Sequence, residues 1–175
     1  DRPRTAAEIS KDLGISRNGR VSDALKRLVE AGFAAPDTGK NPETGKDIAF
    51  ERYRIKDNYA RFFLKYIDPV KDIIDGGRYA FKSLETLENW NAVMGLQFEN
   101  LVLNRTMDFK DALHLSGATV RSAAPYRTGG ANAVQVDLLV QTGKSVCVVE
   151  IKRRKHLGEE VEREVCAKLN KLKVK

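Results

Sequence analysis

The sequence predicts a mixed α/β chain of two modules joined by a helical connector, and three observations carry that prediction. Residues 1–57 run helix, short turn, helix, then two extended pieces around a polar loop. Residues 84–175 run helix, strand, strand, strand, helix. Between them, at 58–83, lies an aromatic-rich segment interrupted by Pro69 and Gly76-Gly77. A chain of 175 residues, 42% of them hydrophobic, can build real cores and is too apolar for disorder to be its main description.

The elements of the first module follow in order. Thr5 precedes AAEISKDLG, whose Ala6, Ile9 and Leu13 share one helical side and whose Gly14 closes the helix. Ile15-Ser16-Arg17 turn the chain into NGRVSDALKRLVEAG, where Val21, Leu25, Leu28 and Val29 recur at helical spacing and Gly32 supplies the stop. FAAPDTGKNPETGKDIAFERYRI then gives two short extended pieces flanking a loop rich in Pro, Gly and Asp. Helix, turn, helix and hairpin in this order make a winged helix-turn-helix. The first helix usual in that fold would lie upstream of residue 1, so the chain reads as a piece of a longer protein. On the second helix, Arg17, Asn18, Arg20, Ser22 and Lys26 could face a major groove, with Lys40 or Lys46 on phosphate from the wing. Asp23 and Glu30 dilute that positive face, and such modules also bind proteins.

In the connector, Tyr59, Phe62, Phe63 and Tyr66 are spaced to pack one broad helical face. Aromatics at helical spacing bury more often than they stack on bases, so the segment reads as glue between the modules.

The second module opens with a long helical pattern. Leu87, Trp90, Met94, Phe98, Leu101 and Val102 form its apolar side, and Glu99 sits beside that stripe. TVRSAAP is a short extended piece, AVQVDLLV and SVCVVEIK are strongly β-prone, and HLGEEVEREVCAKLNKL closes as a charged helix, with a possible strand starting at KLKVK. With Thr142-Gly143 as a two-residue loop, Asp137 lies opposite Val148 and Glu150 opposite Gln135. Asp137, Glu150 and Lys152 then share one face, the two carboxylates as diagonal neighbours. Acids in such apolar strands need a reason, because unpaired buried carboxylates are costly and adjacent ones repel. A divalent cation supplies one: oxygen ligands from Asp137 and Glu150 suit Mg²⁺ or Mn²⁺. Lys152 would then position a water or stabilise charge on phosphorus. The other reading of Lys152 is simple ion pairing with Asp137 or Glu150 at a strand end.

The charge balance is +7, and residues 111–175 hold 12 basic against 7 acidic groups. Lys152, Arg153, Arg154 and Lys155 lead that excess, which favours polyanions or forms a solvated face. Several classes are excluded. Cys147 and Cys166 are too few for a disulfide framework or a four-cysteine zinc site. No apolar run reaches the length of a membrane span, and the polar start DRPRTAAEIS is no signal peptide. The expectation is a soluble, cytoplasmic protein with no membrane partner. Gly143-Lys144-Ser145 imitates the end of a P-loop, but Leu138 stands where its first glycine belongs, and the setting is strand-turn-strand.

The acidic hairpin with its flanking helices resembles the PD-(D/E)XK nuclease superfamily, whose core is an α-β-β-β-α-β unit. Asp137 matches the first acidic position, Glu150-Ile151-Lys152 the (D/E)XK tripeptide, and Glu99 the acid that many members carry on the preceding helix. Val136 stands in place of the proline. The resemblance implies a restriction-endonuclease-like domain in which Asp137 and Glu150 bind Mg²⁺ or Mn²⁺, Glu99 assists the metal or its water, and Lys152 orients the nucleophile. Arg153, Arg154 and Lys155 would meet DNA. Over nearly all of its length, through SDALKRLVEAGF, YRIKDNYARFFLKYIDP, GLQFENLV and VDLLV with VVEIKRR, the chain resembles the C-terminal region of archaeal-type AAA+ ATPases. That implies an upstream ATPase domain in the same polypeptide, through which alone ATP would bind. A non-catalytic regulatory or binding module that keeps the fold is the alternative.

Overall fold

Two three-stranded antiparallel sheets and the helices around them make the protein a mixed α/β chain. The structure, a computed structural model, describes residues 2–16, 19–48, 52–80, 83–129 and 133–172. It divides into two compact units, residues 1–36 with 52–100 and residues 37–51 with 101–175.

In the first unit, β1 (Arg4–Thr5) leads directly into α1 (Ala6–Asp12). The transition is set by a capping box. Thr5 Oγ1 accepts from the Glu8 N–H at 3.1 Å, and Glu8 Oε2 accepts from the Thr5 N–H at 2.7 Å. The Arg52 guanidinium joins Glu8 at 3.2 Å and donates to the Pro3 carbonyl. Gly14 (φ +65°) ends α1, and Gly32 (φ +81°) follows α2 (Gly19–Glu30), both in the left-handed region that glycine tolerates. β2 (Ala34–Asp37) and β3 (Arg52–Ile55) complete a sheet ordered β1-β3-β2, with Arg4 opposite Tyr53. Ala6, Val21 and Leu25 are its core, with Ile9 and Tyr53 packed against them. Leu13 and Leu28, expected on the apolar sides of their helices, are instead exposed.

The connector is α3 (Asn58–Phe62), one turn of π-helix over 63–67, a 3₁₀ turn over 68–70 containing Pro69, and α4 (Lys71–Asp75). Asp57 caps α3 by accepting from the Ala60 N–H at 2.5 Å. The widened π turn offsets the aromatic spacing, and the single broad face expected from sequence is split. Phe62 and Tyr66 pack on Trp90 at 6.5 and 6.1 Å, whereas Tyr59 meets Phe63 and stays largely exposed.

The long helix α5 (Trp90–Asn104) also differs from its predicted face. Phe98 and Leu101 are exposed, while Val93 and Asn100 are buried. Asn100 accepts from Arg54 and donates to the Lys56 carbonyl and Asn58 Oδ1, at 2.6 and 2.7 Å. Asn58 and Gln97 exchange a further pair of hydrogen bonds, at 3.0 and 3.1 Å. A polar network that satisfies the backbone after β3 thus takes the place of part of the expected apolar stripe.

The second unit is built on β4 (Val120–Arg127), β5 (Gln135–Thr142) and β6 (Val146–Val149), ordered β4-β5-β6, followed by α6 (Glu159–Lys171). β5 is the buried central strand, with Leu138, Leu139 and Val140 all about fully covered. Leu138 and Val140 pack with Val102, Leu115, Cys147, Val149 and Ile151. Val136 and Leu139 pack on the other side with Tyr126, Val134, Val146, Val148, Leu172 and Ile48. Ile48 comes from the loop between β2 and β3, and the Lys40 carbonyl of that loop accepts from Gln141 Nε2 at 2.5 Å. The loop read from sequence as part of the first module therefore contributes to the second core. The expected terminal strand falls on residues 173–175, outside the described residues. Among the described residues, no helix is long and apolar enough to cross a membrane.

Candidate active site

The β5–β6 register places the acids. The pairs are Leu138↔Val149, Leu139↔Val148, Val140↔Cys147 and Gln141↔Val146. This corrects the pairing expected with a Thr142-Gly143 loop. The turn is Gly143-Lys144, because Thr142 Oγ1 accepts from the N–H groups of Lys144 and Ser145 at 3.1 and 2.9 Å, and the Thr142 N–H donates to the Ser145 carbonyl. Moving the turn by one residue moves the pairing by two, so the residues paired from Leu138 to Gln141 keep their faces, whereas the irregularity of β5 beyond Leu138 turns Val136 to the side of Leu139. The ladder ends at Leu138↔Val149, and beyond it Asp137 and Glu150 meet through their side chains.

β6 stops at Val149, where the strand ladder gives way to a side-chain contact: the Ile151 N–H donates to Asp137 Oδ2 at 3.0 Å. Glu150 is thereby drawn inward, its side chain only 3% exposed. Lys152 Nζ donates to Glu150 Oε1 at 2.5 Å, and Lys168 Nζ, from α6, donates to Glu150 Oε2. Lys168 is also 2.9 Å from Glu164 Oε1, and Lys152 is 3.8 Å from Glu164 Oε2. The four side chains form a closed ring of alternating charge.

Their protonation follows from this arrangement. Burial pushes the Asp137 carboxyl up, the Ile151 N–H partly opposes it, and the charge and shared hydrogen bond of Glu150 push it further up. Burial also raises Glu150, but the two ammonium hydrogen bonds outweigh it and hold that carboxyl below its ordinary range. Lys152 is raised by its hydrogen bond to Glu150. Burial lowers Lys168, and its bonds to Glu150 and Glu164 more than reverse this. The pair is thus an asymmetric dyad, one acid held ionised and its neighbour held back.

Asp137, Glu150 and Lys152, singled out from sequence, do come together. Glu99 lies on α5 in the first unit, where its charge supports the buried Arg61 guanidinium against desolvation. Lys168 and Glu164 were not anticipated. The available signal was their i,i+4 spacing on a helix following an acidic strand end. Among the described residues, no three His, Cys, Asp or Glu side chains gather as a ready metal cage. Two opposed carboxylates still fit Mg²⁺ or Mn²⁺, which take one or two carboxylates and complete their shell with water. A cation there would offset the burial, and the neighbouring charge of Glu150, that hold Asp137 up.

The residues expected to touch DNA are distributed as follows. Arg20, Ser22 and Lys26 are exposed along α2, with Lys26 3.9 Å from Glu30. Arg17 and Asn18 lie outside the described residues. Lys40 is tied to Asp47 at 2.6 Å, and Lys46 is exposed. Arg153, Arg154 and Lys155 are exposed beyond β6, and Arg154 pairs with Glu160 at 3.3 Å.

No family model matches the chain, and no similar protein was found among curated proteins or solved structures.

Proposed function

We propose that the second unit is a nuclease-like domain of the PD-(D/E)XK kind, acting on phosphodiester bonds with a divalent cation held by Asp137 and Glu150. The first unit, in this reading, is a winged helix-turn-helix that docks the protein on DNA, and the whole is the C-terminal module of an AAA+ ATPase polypeptide. The observation that carries the reading is the Asp137–Glu150 side-chain pair with Lys152 bonded to Glu150. The strand order β1-β3-β2 around two helices supports the winged-helix part. Exposed basic groups on α2 and at 153–155 supply a polyanion surface.

Bound Mg²⁺ would supply positive charge where negative charge develops on the phosphoryl oxygens. Asp137 and Glu150 would hold that cation, and the Ile151 N–H keeps Asp137 oriented through Oδ2. Lys152, fixed by Glu150, presents an ammonium able to bind a phosphate oxygen or orient a water for attack. Burial of Glu150 excludes solvent from one side of the dyad.

One observation favours a second reading. Both Glu150 oxygens already carry an ammonium partner, so the ring balances its own charge and could serve as structure in a non-catalytic binding module. Calorimetric titration of Mn²⁺ into the wild type and Asp137→Ala, followed by plasmid cleavage with the same pair, separates the two. The nuclease reading expects binding and nicking that are both lost in the variant. Absence of binding in the wild type would reject it in favour of the non-catalytic module.

A further inference from the structure

Lys168 stands between two carboxylates of very different exposure. It donates to Glu150, whose side chain is 3% exposed, and lies 2.9 Å from Glu164, which is 42% exposed and one helical turn earlier on α6. Lys152 is placed differently. Its Nζ is 2.5 Å from Glu150 Oε1 but 3.8 Å from Glu164, so leaving Glu150 would cost it its one short ion pair among the described residues. Lys168 can release Glu150 and keep a charge-assisted hydrogen bond to Glu164, in a place that water also reaches.

A divalent ion on Asp137 and Glu150 would meet an ammonium already seated on each oxygen of one of its two ligands. Like charges at hydrogen-bond separation repel strongly wherever water is scarce, as it is around Glu150. One ammonium has to move for the ion to bind well, and Lys168 is the one with somewhere to go. Resting on the metal reading above, we propose that Lys168 is a built-in competitor of the divalent cation: it occupies Glu150 in the metal-free protein and transfers to Glu164 as the ion binds. Lys168 is thus a positioning residue that sets how readily the site loads. No bond is made or broken in this exchange, and the protein's net charge rises only by that of the ion.

The test is Mn²⁺ binding to the full chain, measured by calorimetry in the wild type, Lys168→Gln and Lys168→Arg. Loss of one charged hydrogen bond from Glu150 should tighten Mn²⁺ binding about tenfold in Lys168→Gln, the scale of such a bond. Lys168→Arg, which keeps the competing charge, should bind as the wild type does. Equal affinities in all three, or weaker binding in Lys168→Gln, would overturn the competitor role while leaving the metal site standing. No binding by any of them would reject the metal reading itself, and the competitor with it. Should Lys168→Gln fail to fold, the wild type labelled with ¹³C at lysine Cε gives the answer. Saturating Mg²⁺ should move the Lys168 resonance and leave Lys152 nearly in place, and an unmoved Lys168 signal beside a saturated site would overturn the proposal.

Discussion

Glu150 and Asp137 share a side-chain hydrogen bond, yet their environments push their acidities apart. Two lysines stabilise the ionised Glu150, while burial and the neighbouring charge favour protonated Asp137. The linkage signs are therefore opposite. A depressed folded pKa makes Glu150 contribute stability that is complete above its unfolded value and is lost as pH falls through the folded one. Asp137, with its raised folded value, favours the folded state at low pH and loses that contribution as pH rises through it. Glu150→Gln leaves two ammonium groups facing a neutral amide, with the more exposed Glu164 and the charge of Asp137 beside Lys152 as partial replacements. Full breakage of buried pairs costs more, but the lysines here keep some water, so a loss of about 2 kcal/mol at neutral pH is expected. Urea denaturation at pH 7 and pH 3 measures it. The deficit of the variant should shrink below about pH 4, where glutamate normally protonates. A deficit equally large at pH 3 would show that shape, not charge, makes Glu150 matter.

At the scale of single elements, what the sequence revealed depended on parity and periodicity. The closeness of Asp137, Glu150 and Lys152 was legible although the turn lies one residue later than the sequence suggests, because a two-residue shift in pairing preserves alternation along the paired stretch from Leu138 to Gln141. What the pattern could not resolve was which residue of Thr142-Gly143-Lys144-Ser145 starts the turn. The Thr142 hydroxyl decides that through two backbone N–H groups. The buried face of α5 was not legible either. Asn100 reads as polar and exposed, and it is buried only because the carbonyl of Lys56 and the side chains of Arg54 and Asn58 come to meet it. Helix α1, by contrast, starts where Thr5 signals it, and the structure adds Glu8 as the second half of the cap. Its seven residues are too few to persist on propensity alone, so the cap carries much of its local stability. Thr5→Ala should cost about 1 kcal/mol, the usual scale for a lost N-cap. Amide hydrogen exchange should show the loss first in the N–H groups of residues 7–9. Unchanged protection there would mean that the β1–β3 pairing, not the cap, holds the helix start.

At the scale of the whole molecule, the chain passes between its two units three times, so neither unit is a continuous stretch of sequence. The module boundaries drawn from sequence, at 57 and 83, follow loop composition and helix breakers. Those signals cannot report that a polar loop inside one module supplies an apolar side chain to the core of the other. Ile48 does so, packing in the cluster around Val136 and Leu139, while Lys40 gives its carbonyl to the buried Gln141. A fragment comprising residues 84–175 carries every residue of the acidic dyad and its lysine ring but lacks this loop. It should lose the hydrophobic contribution of Ile48, about 1–2 kcal/mol for a partly buried aliphatic side chain. It should also leave the Gln141 amide without its acceptor, at a similar cost. The fragment is therefore expected to unfold at distinctly lower urea than the same core in the full chain, followed by the near-ultraviolet signal of Tyr126, which belongs to that cluster. Adding residues 37–51 as a separate peptide should restore part of the difference, because the contacts are local to the loop. A fragment as stable as the full chain would show that the second core is complete without the loop, and that the composition-based boundary at residue 57 marks a true fold limit.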